Sequence, residues 1–151
     1  MTDNPASAEI KVEVRYAETD QMGVVHHANY LVWFELARTR LCHRSGYSYS
    51  EIEKLGYHLM VTMAQVHYRR GARYGDIVSV TAHIDRLGSR GLRFAYEVRR
   101  EEEVVATGTT EHVWVEAATG KLRRTPEVLR EPFARLAGGT TNEKSSTAHG
   151  G

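Results

Sequence analysis

The chain has 151 residues, of which 41% are hydrophobic and 26% charged, and its formal net charge is +1. This composition is typical of one globular domain with a core, and the small net charge argues against binding to nucleic acid or to a membrane surface. No apolar run approaches the roughly 20 residues of a membrane span. The single cysteine, Cys42, rules out an internal disulfide and fits a cytoplasmic location, and residues 1–8 have no secretion-signal pattern.

The first half of the chain predicts one strand followed by two helices. Residues 10–16 alternate between apolar and charged side chains, which predicts a half-buried strand. Apolar residues recur at helical spacing from Tyr30, and the long helix that they predict ends near Gly46. Residues 50–53 fit a capping box that opens a short helix, which Gly56 ends.

The second half predicts four strands and a terminal helix. The strands are expected over 58–69, 77–87, 92–100 and 104–117, and Pro126 suits the first turn of a helix to about Leu136. Consecutive strands with short turns pair antiparallel, so the fold class is α+β, with the long helix on a five-stranded antiparallel sheet. We place the domain at residues 9–136, after a flexible leader (1–8) and before a disordered tail (137–151).

A polar segment before the long helix contains the candidate chemistry. Asp20 lies just upstream of a helix N-terminus, where backbone N–H groups have no helical partner and can bind an oxyanion. Gly23 would allow a tight turn and close approach of a substrate. Asn29 fits equally an N-cap or a substrate contact. The segment therefore combines a carboxylate, which can act as nucleophile or base, with a donor that can stabilise an oxyanion.

Other residues of this region have simpler interpretations. The adjacent His26 and His27 could suggest a metal, but the remaining histidines show no HxxxH or HExxH spacing, and we expect no metal site. Cys42 has no recognisable base partner and is expected to be structural. No P-loop or Gly-x-Gly-x-x-Gly pattern is present, so no nucleotide cofactor is indicated.

The same segment resembles a known family signature. The residues that carry the resemblance are Tyr16, Thr19, Asp20, Gly23, Val24, Val25, His26, His27, Ala28, Asn29, Tyr30, Leu31, Phe34, Glu35, Ala37 and Arg38. They resemble the signature of hotdog-fold acyl-CoA thioesterases of the 4-hydroxybenzoyl-CoA thioesterase type, and more narrowly the bacterial subgroup associated with the Tol–Pal system. The resemblance extends from about residue 9 to 133. It implies a sheet wrapped round the long helix, and a dimer or homotetramer with active sites between subunits.

The resemblance also implies roles for single residues. Asp20 matches the catalytic aspartate, and His27 occupies the position whose backbone amide polarises the thioester carbonyl. Arg90, in the turn with Ser89, matches a basic position that contacts coenzyme A phosphate in relatives. Arg124 belongs to a second basic segment that matches more loosely.

Three further residues, Gly23, Asn29 and Tyr30, are expected to line the substrate site. His26 stands where relatives have an aromatic residue, so its role is open.

The function expected from the sequence is therefore hydrolysis of an acyl-CoA to a free acid and coenzyme A, without a cofactor. An acyl-carrier-protein thioesterase and a non-catalytic acyl-CoA binder are the alternatives. Asp20 could attack the carbonyl itself or activate a water molecule, and because an aspartate carboxylate is a weak general base, direct attack is slightly favoured. Aromatic, short aliphatic and longer aliphatic acyl groups all remain open.

Overall fold

The computed structural model describes residues 6–138 and consists of an antiparallel sheet packed on one long helix. The elements in chain order are β1 (Ser7–Glu13), a 3-10 turn (Tyr16–Glu18), α1 (Ala28–His43), α2 (Tyr49–Lys54), β2 (Tyr57–Tyr68), β3 (Ile77–Leu87), β4 (Gly91–Arg100), β5 (Glu103–Glu116), β6 (Leu122–Arg123) and α3 (Glu127–Leu136). The strand order is β1-β3-β4-β5-β2, and β6 pairs with the end of β5. The predicted α+β class and five-stranded sheet are confirmed.

The core lies between α1 and one face of the sheet. The apolar face of α1 is buried as predicted, and the Phe34 ring stacks on Tyr96 of β4 at 4.2 Å. Gly108 of β5 allows this close approach, because a Cβ there would lie 2.5 Å from the Phe34 ring. Burial of each large apolar side chain contributes about 1.5–3 kcal/mol, so this face fixes α1 on the sheet.

Two predicted boundaries differ from the structure. β1 ends at Glu13 instead of residue 16. The Val14 N–H still donates to the Asp76 carbonyl, but the Val14 carbonyl accepts the Gly75 N–H and a 3-10 turn begins at Tyr16. The capping box of α2 is Ser48 with Glu51, and the prediction at 50–53 was wrong by two residues. Both Ser48 and Ser50 are followed by Glu three residues later, so the motif alone could not decide.

Smaller differences affect the ends of the domain. β1 begins at Ser7, inside the segment predicted to be a leader, and Pro126 is the N-cap of α3 and not its first residue. The two-residue β6 was not predicted, because no periodicity can be detected over two residues. Of the predicted tail at 137–151, residues 139–151 lie outside the described part of the chain.

β2 forms one edge of the sheet and is largely exposed. A bulge between Val61 and Met63 changes which side chains face inward, so that Leu59 before it and Val66 after it both pack against the core. Met60 and Val61 are each 46% exposed. Within residues 6–138 no helix is long and apolar enough to span a membrane.

Candidate active site

The Asp20 loop is closed by its own hydrogen bonds. The Asp20 N–H donates to the Val24 carbonyl at 2.8 Å, and the Gly23 N–H donates to the Asp20 carbonyl at 3.0 Å. Gly23 has φ +82°, a value that favours glycine, so the turn predicted for this residue is present. Carboxylate atom Oδ1 of Asp20 accepts the Met22 N–H at 2.8 Å, whereas Oδ2 accepts no hydrogen bond from the described residues. The side chain is exposed and open to a substrate.

An unpaired backbone amide lies at the start of α1. His27 is the N-cap residue, and its N–H donates to no acceptor among residues 6–138. The neighbouring amides are occupied, since His26 N–H donates to the Glu18 carbonyl and Ala28 N–H to Nδ1 of His26. His27 therefore presents an outward donor at the positive end of a 16-residue helix.

Asn29 is not the N-cap of α1, because that position is His27. Of the two roles left open by the sequence, the capping role is therefore excluded. The Asn29 side-chain amide donates to the Glu18 carbonyl at 3.0 Å and to the His26 carbonyl at 3.3 Å. Asn29 therefore ties the 3-10 turn to the first turn of α1. In this position it holds the loop that carries Asp20.

Glu18 is a site residue that the sequence analysis missed. Its carboxylate is buried, and it accepts the Arg15 N–H at 2.8 Å and the Trp33 indole N–H at 3.2 Å. Burial raises the pKa of Glu18, but these hydrogen bonds outweigh it and hold the pKa below its usual value. Glu18 therefore fixes the 3-10 turn on α1. The sequence offered two signals that could have indicated this role. They are a carboxylate two residues before Asp20 and a tryptophan, Trp33, on the apolar face of the predicted helix.

Tyr68, at the end of β2, also contacts the start of α1 and was not predicted. Its hydroxyl donates to the His27 carbonyl at 3.2 Å, and its ring packs on Tyr30 at a centroid distance of 5.2 Å. Tyr30 is only 2% exposed. The structure places the Tyr30 side chain in the core under the loop. Its contact with a substrate stays a prediction.

The predicted basic residues form a second group. Ser89 and Arg90 lie in the turn between β3 and β4, and the Ser89 carbonyl accepts the Thr125 N–H at 2.8 Å. This contact brings Arg90 beside Arg123 and Arg124 at a pocket of about 290 Å³. Arg123 pairs with Glu116 at 3.3 Å, whereas Arg90 and Arg124 are exposed and make no ion pair with the described residues.

The two groups lie at opposite ends of the sheet. The Asp20 loop contacts the turn before β3, where the Val25 N–H donates to the Ala72 carbonyl at 2.8 Å. Arg90 follows the other end of β3, after Leu87. An 11-residue strand spans roughly 30 Å. The Asp20 loop and Arg90 therefore lie near opposite ends of β3.

Comparisons with known proteins identify the family and the fold. The family model of the thioesterase-like superfamily matches residues 14–133. The chain belongs to the thioesterase-like superfamily. YneP, a putative acyl-CoA thioesterase of Bacillus subtilis, is 37% identical over 112 residues, which cover 74% of this chain and 81% of YneP. The residues matched by the family model include the Asp20 loop, all of α1 and the four long strands that follow.

Two solved thioesterase structures show the same hotdog fold. A DHNA-CoA thioesterase from Staphylococcus aureus has a TM-score of 0.81 at 29% identity and covers 96% of this chain and 95% of its own. A thioesterase from Thermus thermophilus, solved with coenzyme A and zinc, has a TM-score of 0.75 at 32% identity and covers 87% of this chain and 94% of its own. The expected hotdog fold is confirmed.

Proposed function

We propose that this member of the superfamily is a cytoplasmic acyl-CoA thioesterase that uses Asp20 and the backbone N–H of His27. The observation that carries the proposal is the unpaired His27 amide at the start of α1, next to a loop that holds an exposed aspartate. The helix N-terminus favours negative charge on the thioester oxygen as the carbonyl carbon becomes tetrahedral. YneP and the two solved relatives carry thioesterase names, which supports the same activity here.

The chemistry has two balanced routes. In the first, an Asp20 carboxylate oxygen attacks the carbonyl carbon, the C–S bond breaks, and coenzyme A leaves as the thiolate. The resulting mixed anhydride is then hydrolysed by water to the free acid and Asp20. In the second route, Asp20 takes a proton from a water molecule that attacks the same carbon, the C–S bond breaks to release the free acid, and the proton passes from Asp20 to the leaving coenzyme A thiolate. The free Oδ2 atom suits the first route, which we favour.

The basic group supplies the proposed contact to the coenzyme A phosphates. Arg90 and Arg124 are unpaired cations among the described residues, and a guanidinium binds phosphate oxygens through two parallel hydrogen bonds. Because these arginines lie roughly 30 Å from the Asp20 loop of the same chain, we propose that a second copy supplies them. The exposed edge strand β2 supports this arrangement.

Antiparallel pairing of β2 with β2 of a second copy would bring the two groups together. The Tyr68 end of one strand, which touches His27, would then lie beside the Tyr57 end of the other. Arg90 belongs to the Tyr57 end, since its carbonyl accepts the N–H of Trp114 on β5 and β5 pairs with β2. We therefore propose a dimer or a dimer of dimers. The narrower 4-hydroxybenzoyl-CoA type and the Tol–Pal subgroup belong to the same proposal and rest on the signature around Asp20.

The decisive experiment measures coenzyme A release from aromatic and C2–C16 acyl-CoAs by thiol detection. We expect wild type to hydrolyse at least one ester and Asp20→Asn to lose about 10²-fold or more in kcat, because the nucleophile or base is removed. Asp85→Asn is the matched control, since Asp85 pairs with Arg93 on the sheet and lies in neither group. If Asp20→Asn is as active as wild type, Asp20 is not the catalytic group. If wild type hydrolyses only acyl-carrier-protein esters, the substrate is not an acyl-CoA. If it binds acyl-CoA without turnover, the protein is a binder and not a thioesterase.

A further inference from the structure

The peptide unit between His26 and His27, which carries the outward N–H of the candidate site, is held from its opposite side. Its carbonyl oxygen, that of His26, accepts the backbone N–H of Asn29 at 3.0 Å and the side-chain Nδ2 of Asn29 at 3.3 Å. Nδ2 also donates to the Glu18 carbonyl at 3.0 Å. An amide NH2 group has two N–H donors, so both donors of this half-buried side chain are used within the chain.

The geometry of the peptide unit transmits these contacts to the His27 N–H. A peptide unit is planar and trans, so its C=O and N–H bonds point in opposite directions. The two donors of Asn29 that fix the His26 oxygen therefore also fix the direction of the His27 N–H. A thioester oxygen that accepts this N–H would lie on the side of the peptide unit opposite to Asn29.

The same contacts strengthen the donor. Resonance in the peptide bond moves electron density from nitrogen to oxygen, and hydrogen bonds to the oxygen favour this shift, so the N–H becomes more positive. Hydrogen bonds in a chain strengthen one another by roughly 10–30% per bond. Because one oxyanion donor contributes about 10²–10³ in kcat, a change of this size corresponds to about a twofold to eightfold change in kcat.

The next peptide unit along the chain has a different support, which provides an internal comparison. The His27 carbonyl accepts the Tyr68 hydroxyl at 3.2 Å. The N–H of that unit belongs to Ala28 and donates to Nδ1 of His26 at 3.3 Å. Tyr68 therefore holds the peptide unit after the outward N–H, whereas Asn29 holds the peptide unit that contains it.

We propose that Asn29 is a positioning residue for thioester hydrolysis, whose amide aims and polarises the His27 N–H through the His26 carbonyl. The inference rests on the proposed function, in which the His27 N–H is the oxyanion donor. Because the oxyanion forms only as the carbonyl carbon becomes tetrahedral, loss of this polarisation lowers kcat. A side chain that only held the bound substrate would instead change KM with kcat unchanged. The two roles of Asn29 therefore differ in the kinetic constant that they change.

The kinetic test uses the acyl-CoA that wild type hydrolyses fastest. Asn29→Ala removes the side-chain donors and should lower kcat about twofold to eightfold with KM unchanged. Asn29→Asp should lower kcat at least as much, because a carboxylate cannot donate to the His26 oxygen, although a negative charge in the first turn of a helix favours folding. Val80→Ala, in the core of β3, is the control for lost stability and should keep the wild-type kcat. Unchanged kcat in both Asn29 variants, or a raised KM alone, would contradict the proposal.

Amide NMR spectra without substrate test the same contact independently of activity. The nitrogen shift of a backbone amide responds to hydrogen bonds that the carbonyl of its own peptide unit accepts. Asn29→Ala should therefore move the His27 nitrogen signal, whereas Tyr68→Phe should move that of Ala28 and leave that of His27 in place. An unmoved His27 signal in folded Asn29→Ala, or an equal movement in Tyr68→Phe, would overturn the proposal.

Failure of this inference and failure of the proposed function give different results. If the inference alone is wrong, wild type still hydrolyses an acyl-CoA and Asp20→Asn still loses activity, but the Asn29 variants keep the wild-type kcat. If wild type hydrolyses no acyl-CoA, the proposed function is wrong. The NMR comparison still decides in that case whether Asn29 acts on the His27 N–H.

Discussion

A single buried histidine shows how the core depends on pH. His112 of β5 is 2% exposed, and its Nε2 atom lies 2.8 Å from the Thr110 hydroxyl. The Thr110 hydroxyl in turn lies 2.6 Å from that of Tyr96. Burial, with a smaller effect of the Arg38 charge, lowers the pKa of His112 to about 4. The ring is therefore neutral in the folded protein near neutral pH.

The consequence is a loss of stability in mild acid. An unfolded histidine takes up a proton near pH 6.5, whereas folded His112 does so only near pH 4. Between these values the unfolded state binds more protons, so the free energy of unfolding falls as the pH falls, by about 2 kcal/mol from pH 7 to pH 5. Urea unfolding at both pH values should show this loss in wild type and a smaller one in His112→Gln. His83→Gln, at an exposed position of β3, should keep the wild-type loss. Equal losses in wild type and His112→Gln would assign the pH dependence to other groups.

At the scale of elements, the contact between α1 and β5 depends on Gly108. A Cβ at this position would lie 2.5 Å from the Phe34 ring and 2.5 Å from the Gln65 carbonyl oxygen. Gly108→Ala should therefore lower the free energy of unfolding by about 1–3 kcal/mol, as overpacked cores do. Thr109→Ala, on the opposite face of the same strand, should cost less because it adds no atoms to this contact. Urea denaturation of both variants checks this, and unchanged stability of Gly108→Ala would mean that α1 can move away from the sheet at little cost.

The elements also show where sequence patterns stop being informative. The apolar face of α1 could be predicted because helical period and burial coincide over its four turns. The end of β1 could not, because it depends on a hydrogen bond from the Gly75 N–H to the Val14 carbonyl, between residues 61 positions apart. The Asp20 turn was expected from Gly23. The hydrogen bonds of Glu18 with Trp33 and Asn29 were not, since they depend on how the 3-10 turn packs against α1.

At the scale of the whole molecule, the sequence identified both polar groups but not the distance between them. Asp20 and Arg90 each stand out by residue type and local turn. Their separation depends on strand pairing: the Asp20 loop contacts the start of β3, and Arg90 follows its end. Only the assembled sheet places the two groups near opposite ends of β3. The resemblance implies shared sites, and this topology supports our proposal that a second copy completes each site.

A mixing experiment tests whether the sites are shared between copies. Asp20→Asn removes the proposed catalytic group, and the double variant Arg90→Gln/Arg124→Gln removes the proposed phosphate contacts, so each protein alone should hydrolyse acyl-CoA slowly at low substrate concentration. In a mixed dimer, one site combines both defects and the other has none. Random exchange makes half of the dimers mixed, and one of their two sites is intact, so co-refolded protein should recover about a quarter of wild-type activity.

The recovery depends on the arrangement of the groups and not only on their chemistry. If Asp20 and the arginines of one chain served the same site, every site in the mixture would keep one defect and the activity would stay at the level of the separate variants. Refolding each variant alone controls for the handling, and sedimentation confirms that dimers have formed. Substitution of Val61 by proline in the exposed strand β2 should abolish both dimer and recovery, because proline removes a backbone donor from that edge. A dimer and recovery that both persist in Val61→Pro would contradict pairing through β2.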